Sequence, residues 1–140
     1  MRIVPPEPRT NIFLIDDDDD SRDLFAEVLR RAGFAVDSFN SGEEALTQFE
    51  ATRPAVVLTD ISLAGSVDGI ETARRIRRLD PYAALIAVTG HSLDDVKRGG
   101  MVFDSFLRKP IGLDELVAAV RYLAEEATTQ TLPVLTAAHA

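Results

Sequence analysis

The sequence contains no cysteine. Disulfide bonds, thiolate nucleophiles and cysteine-ligated zinc or iron–sulfur centres are therefore excluded. Basic residues are in deficit: 15 Lys and Arg face 23 Asp and Glu, for a formal net charge of −8. That balance argues against non-specific binding to nucleic acid or to an anionic membrane, since both need basic surface. No apolar run approaches the roughly 20 residues that span a bilayer. The opening stretch, Met1 to Thr10, carries Pro5, Pro6 and Pro8 and lacks the apolar core of a signal peptide. A cytoplasmic protein without membrane insertion is the expectation, and no internal repeat is visible.

What remains is a chain of 140 residues, 46% of them hydrophobic. That length and content suit one compact domain with a core of its own. Short apolar runs alternate with helical spacing. Ile12 to Ile15 reads as a buried strand, and Ser21 to Arg31 as a helix with Leu24, Phe25, Val28 and Leu29 at helical intervals, stopped by Gly33. Ala35 to Phe39 reads as a second strand. Ser41, with Glu44 three residues on, reads as a capping box before Ala45, Leu46 and Phe49. Ala55 to Thr59 and Ala83 to Val88 are continuous apolar strands. Between them Ile70, Ala73, Ile76 and Leu79 mark a helix. A short polar helix is expected from Ser92 to Arg98, ended by Gly99-Gly100. Ser105 to Arg108 is a fifth strand, and a last helix is expected from about Leu113 to Glu125. Strands apolar on both faces require helices on both sides, which implies an α/β fold with a parallel sheet. The expected limits are an N-terminal tail over 1–10, a domain over 11–126 and a C-terminal tail over 127–140.

In such a sheet, ligands bind beyond the carboxyl ends of the strands. Polar residues fall there repeatedly: Asp16 and Asp17 after the first strand, Asp60 after the third, Thr89 after the fourth and Lys109 after the fifth. Clustering carboxylates is costly; two like charges about 4 Å apart repel by about 4 kcal/mol at an effective dielectric of about 20. A hard divalent cation offsets that cost, and Mg²⁺ suits oxygen ligands and phosphate. Lys109 adds a positive charge and Thr89 a hydroxyl donor. These are the parts of phosphoryl transfer: positioning, charge neutralisation and a nucleophile.

With those residues in that order, the chain resembles a response-regulator receiver domain over residues 11 to 126. The resemblance is carried by Asp16-Asp17, Asp60, Asp68-Gly69, Thr89-Gly90, Phe106 and Lys109-Pro110. It implies a flavodoxin-like, doubly wound five-stranded parallel sheet in the order 2-1-3-4-5. It implies phosphorylation on Asp60, and Mg²⁺ bound by Asp17, Asp60 and the Ser62 main-chain carbonyl, with Asp16 acting through a metal-bound water. Thr89 and Phe106 would form the switch, although Phe106 also reads as a plain core aromatic. The phosphoryl donor would be a sensor histidine kinase or a histidine phosphotransfer protein. No effector segment is recognised after the last helix, so the expected output is a contact with a downstream protein and no direct DNA binding, as in single-domain receivers. Three departures from the family pattern stand out. The loop from Asp60 to Gly69 is one residue longer than the commonest pattern, Ala64 stands where proline is usual, and the interval from Thr89 to Lys109 is about two residues short.

Other readings compete. Asp16 to Asp20 could be a solvated acidic turn, with Asp18 and Asp19 exposed and Asp20 or Ser21 capping the helix. Asp16, Asp18, Asp20 and Glu27 have EF-hand spacing, but Ser21 replaces the required glycine and a strand precedes the loop. Asp16-x-Asp18 superficially suits an aspartyl-phosphate phosphohydrolase of haloacid-dehalogenase type, with the nucleophile on Asp16. A receiver-like binding module without phosphorylation is a third reading. His91 is a loop histidine or a modulator of water at the site, and His139 has no assigned role.

Overall fold

The computed structural model describes residues 10–63, 65–90 and 102–137, with side chains described as far as residue 127. The expected Ser92 to Arg98 helix, Gly99-Gly100, Ala64, His91 and His139 lie outside the described residues. The apolar runs form five strands: β1 (Asn11–Ile15), β2 (Ala35–Phe39), β3 (Val56–Asp60), β4 (Ala84–Thr89) and β5 (Ser105–Arg108). Among the described residues four helices accompany them: α1 (Asp19–Arg31), α2 (Gly42–Thr52), α3 (Gly69–Leu79) and α4 (Leu113–Ala137). The sheet is parallel throughout, in the order β2-β1-β3-β4-β5. The doubly wound, flavodoxin-like receiver fold is thus the one observed.

Alternation along each strand divides the core in two, because successive side chains point to opposite faces. Ile12, Leu14, Leu58, Ile86 and Val88 join Phe25 and Leu29 of α1 and Leu116 and Val120 of α4. Phe13, Ile15, Val57, Leu85 and Ala87 join Ala45 and Phe49 of α2 and Ile70 and Ile76 of α3. Each fully buried Leu, Ile or Phe contributes about 1.5–3 kcal/mol. The continuous apolar strands of the sequence therefore follow from cover on both faces.

The helix ends correct two expectations. Asp18, and neither Asp20 nor Ser21, caps α1; its carboxylate accepts the Ser21 N–H at 2.9 Å. The acidic run offers a cap-forming carboxylate at every position, and the helix begins at Asp19, two residues before Ser21. At the other end Gly33, at φ +106°, donates its N–H to the Arg30 carbonyl and closes the turn. The last helix runs to Ala137, through Pro133, well beyond Glu125. No glycine stops the helix in that stretch, and the alanines and leucines favour helix while the threonines and Pro133 disfavour it. Among the described residues no helix is long and apolar enough to cross a membrane.

Candidate functional site

The carboxyl edge of the sheet gathers the polar residues. Asp16 and Asp17 lie directly beyond β1, Asp60 ends β3, Thr89 ends β4 and Lys109 follows β5. Parallel register sets their order along the edge: Asp60 pairs with Val88, and Thr89 with Arg108. The Lys109 N–H then donates to the Thr89 carbonyl at 2.8 Å. The Lys109–Pro110 peptide bond is cis.

Lys109 lies between two carboxylates. Its Nζ is 3.1 Å from Asp60 Oδ2 and 3.6 Å from Asp16 Oδ2. One oxygen from each of Asp16, Asp17 and Asp60 lies within 4.8 Å of the others. Three carboxylates against one ammonium leave two negative charges uncompensated, which is the charge of one divalent cation. Hard oxygen donors at this separation fit Mg²⁺.

Burial grades the three acids. Asp16 is only 2% exposed, Asp60 is half-buried and Asp17 is exposed. Burial pushes the Asp16 pKa up; the Asp18 N–H bond and the Lys109 charge pull it down, Asp60 and Asp17 push it up again, and the balance is upward. The Asp18 N–H donates to Asp16 Oδ1 at 2.9 Å. For Lys109, burial lowers the pKa, but the hydrogen bond and charge of Asp60, with the charge of Asp16, outweigh it and the ammonium is held above its ordinary range. At Asp18 the Ser21 backbone and side-chain bonds hold the carboxyl low, as a helix cap requires.

The structure places Ser62 at the site through its amide: the N–H donates to Asp60 Oδ1 at 3.1 Å. Thr89 is buried. Phe106 is half-buried and meets Phe103 edge-on, with ring centroids 5.7 Å apart. Asp68 caps α3 by accepting the Glu71 N–H at 2.9 Å, and Gly69 lets that helix start against the Asp60 carbonyl.

Two neighbouring residues escape the sequence reading. Arg22 donates from Nη1 to the Asp16 main-chain carbonyl at 2.9 Å, bracing the acidic turn. Glu43, in the first turn of α2, accepts the Val67 N–H at 3.2 Å. The sequence singles out neither: the Arg22 contact depends on the turn between β1 and α1, and the Glu43 contact on the packing of α2 against the β3–α3 loop.

The family model for the response regulator receiver domain matches residues 12–121. The chain is 37% identical over 121 residues to the C4-dicarboxylate transport transcriptional regulatory protein DctD of Rhizobium meliloti, covering 83% of this chain and 25% of that protein. It is 30% identical over 129 residues to the DNA-binding transcriptional regulator NtrC of Klebsiella pneumoniae, covering 87% of this chain and 27% of that protein. The chain thus spans about a quarter of the length of these relatives. Among solved structures, a putative response regulator from Chloroflexus aurantiacus is 29% identical with a TM-score of 0.79, covering 84% of this chain and 99% of that one. A receiver domain protein from Clostridium thermocellum is 26% identical with a TM-score of 0.80, over 86% and 98% respectively.

These relatives correct one expectation. The lack of a recognised effector segment pointed to a downstream protein contact and no direct DNA binding, and the acidity of the sequence to no non-specific binding of nucleic acid, yet relatives sharing its receiver sequence are transcriptional regulators and one is DNA-binding by name. A segment that spans about a quarter of such proteins says nothing, by its own charge or motifs, about what the rest of them contact. On the match of the family model to most of the sequence, and on the sheet order and acidic cluster it shares with that family, the chain belongs to the response regulator receiver domains.

Proposed function

We propose that this receiver domain takes a phosphoryl group onto Asp60, from a phosphohistidine of a kinase or phosphotransfer protein. One Asp60 oxygen attacks phosphorus as the donor's nitrogen–phosphorus bond breaks, and the histidine nitrogen leaves with the electron pair and takes up a proton. Asp16, Asp17, Asp60 and the Ser62 main-chain carbonyl would hold Mg²⁺. The cation, when bound, neutralises charge on the oxygens of the transferred group. Lys109 neutralises further charge from the β5 side, and the Thr89 hydroxyl donates to a phosphoryl oxygen. Thr89 and Phe106 then carry the change in charge toward the β4–β5 face. The protein is a phosphoacceptor that assists its own phosphorylation and dephosphorylation.

The observation that carries this reading is the Lys109 ammonium set between Asp60 and Asp16, at 3.1 and 3.6 Å, in an acidic triad that it leaves two negative charges short of neutrality. The phosphohydrolase reading needs Asp16 as nucleophile. Its side chain is 3% exposed against 14% for Asp60, so Asp60 is the more accessible of the two. Incubation with a small phosphodonor and Mg²⁺, followed by intact-mass analysis, tests the assignment. A single hydroxylamine-labile phosphoryl group is expected on the wild type and none on Asp60→Asn. Wild-type stoichiometry in Asp60→Asn, with loss of label on Asp16→Asn, would refute it.

A further inference from the structure

The loop between β3 and α3 leaves the sheet at Ile61 and returns at Gly69, whose N–H donates to the Ile61 carbonyl at 3.0 Å. Ser62, at the start of this excursion, contacts Asp60. Val67, near its end, is buried and donates its N–H to Glu43 Oε1 across to α2. Gly65 sits inside the same excursion at φ +109°, and a β-carbon there would lie 3.0 Å from Glu43 Oε2. Gly65 and Val67 therefore both lie against the Glu43 carboxylate: one oxygen takes the Val67 amide, and the other lies 3.0 Å from where a side chain at position 65 would begin.

The start of α2 is fixed against the same elements. A β-carbon on Gly42 would lie 2.0 Å from Thr72 Oγ1 and 3.3 Å from the Val67 carbonyl. Thr72 in turn donates to the Asp68 carbonyl at 2.7 Å. Glycine at 42 thus lets α2 approach closely enough for Glu43 to reach the loop. An acid in the first turn of a helix ordinarily interacts only with the helix dipole and water. Glu44, one residue on, provides that comparison on the same turn.

We propose that Glu43 is a positioning residue: it pins the β3–α3 loop from α2 and so holds Ser62 beside Asp60. This deepens the phosphoacceptor reading and rests on it for the role of Ser62. A carboxylate accepting a backbone N–H makes a stronger bond than a neutral acceptor, yet an amide keeps the acceptor oxygen. Glu43→Gln therefore retains the tether and Glu43→Ala removes it.

The test compares the wild type with Glu43→Ala, Glu43→Gln and Glu44→Ala, all in the full chain. Glu43 is exposed, so its replacement leaves the core intact. Amide hydrogen exchange is read at Ser62 and Val67 without metal, and Mg²⁺ affinity by calorimetry. Glu43→Ala should speed exchange at Val67 by about tenfold and weaken Mg²⁺ by about threefold to tenfold. Glu43→Gln should stay near wild type, and Glu44→Ala should change neither. Unchanged protection of Val67 in Glu43→Ala would overturn the proposal. So would a Glu43→Gln variant as impaired as Glu43→Ala, or a Glu44→Ala variant equal to it, because charge alone would then be at work. The exchange readout needs neither metal nor phosphoryl group. Faster Val67 exchange in Glu43→Ala, with a wild type that takes up no phosphoryl group, would support the tether and overturn the phosphoacceptor reading instead.

Discussion

The Lys109 ammonium lies 3.1 Å from Asp60 Oδ2, joining residues at the ends of β5 and β3. The same nitrogen is 3.6 Å from Asp16. One cation thus holds two carboxylates that would otherwise repel. Lys109→Met leaves them facing each other without it. With Lys109 28% exposed, solvent screens part of the loss, and about 1–2 kcal/mol of stability should disappear in metal-free protein. Mg²⁺ should stabilise the variant more than the wild type, because it replaces the missing charge. Urea denaturation with chelator and with Mg²⁺ measures both, and an equal Mg²⁺ gain in the two proteins would contradict the account.

Asp16 gives a pH prediction with a definite sign. Burial raises its pKa in the folded state above the ordinary value of 3.8. Its contribution to stability is therefore fully present below that ordinary value and is lost as pH rises through the folded one. At neutral pH, without metal, the buried charge is a net cost. Asp16→Asn should then raise the melting temperature of metal-free protein at pH 7, and the gain should shrink as the pH is lowered toward 4. Excess Mg²⁺ should reverse the order, since only the carboxylate is a strong ligand. A thermal denaturation series across pH, with and without Mg²⁺, decides it; an Asn variant no more stable than wild type at pH 7 without metal counts against the burial argument.

The strands were legible because a parallel sheet covered on both faces needs runs such as Val56-Val57-Leu58, which few other structures accommodate. The site was legible for a related reason: Asp16, Asp17, Asp60, Thr89 and Lys109 each stand at a strand end, and topology brings strand ends together. Residues that act across elements carried no such mark. Arg77 reads as one of four arginines on α3, yet its guanidinium donates to the Ala83 and Val102 carbonyls and to Asp104, tying α3 to the entrances of β4 and β5. Glu43 likewise reads as a first-turn acid. Helix limits were blurred where several residues could serve: five consecutive aspartates offered more than one cap, and Asp18 won.

Gly69 should be less replaceable than Gly42. A β-carbon at 69 would lie 2.0 Å from the Asp60 carbonyl oxygen and 2.8 Å from Ile61 Cα, both backbone atoms. At 42 the nearest atom belongs to the Thr72 side chain. Forcing atoms into a packed site costs about 1–3 kcal/mol. Gly69→Ala should fall at the upper end, and it should also slow phosphoryl uptake because the strand end carrying Asp60 must shift. Gly42→Ala should destabilise less. Denaturation midpoints and labelling rates of the two variants provide the comparison, and the reverse order of stabilities would show that backbone gives way more readily than Thr72.

Phe106 is the residue whose role the geometry divides most evenly. It meets Phe103 edge-on and packs at the margin of the α2–α3 core, but it is only half-buried, while Phe103 is buried. If Thr89 moves toward a phosphoryl group, space opens beside β4 that the Phe106 ring can enter. Phenylalanine has no hydroxyl to satisfy, so its burial costs less than that of tyrosine. Beryllofluoride, a phosphoryl mimic, should therefore shift the ring resonances of Phe106 in a phenylalanine-labelled sample and move those of Phe103 less. Thr89→Val keeps the shape of the side chain and removes the donor, so it should reduce the Phe106 shift without abolishing Mg²⁺ binding. Asp60→Asn should remove the response altogether. A Phe106 signal that ignores the mimic in wild-type protein would make the ring plain core and leave the transmission of the signal to other residues.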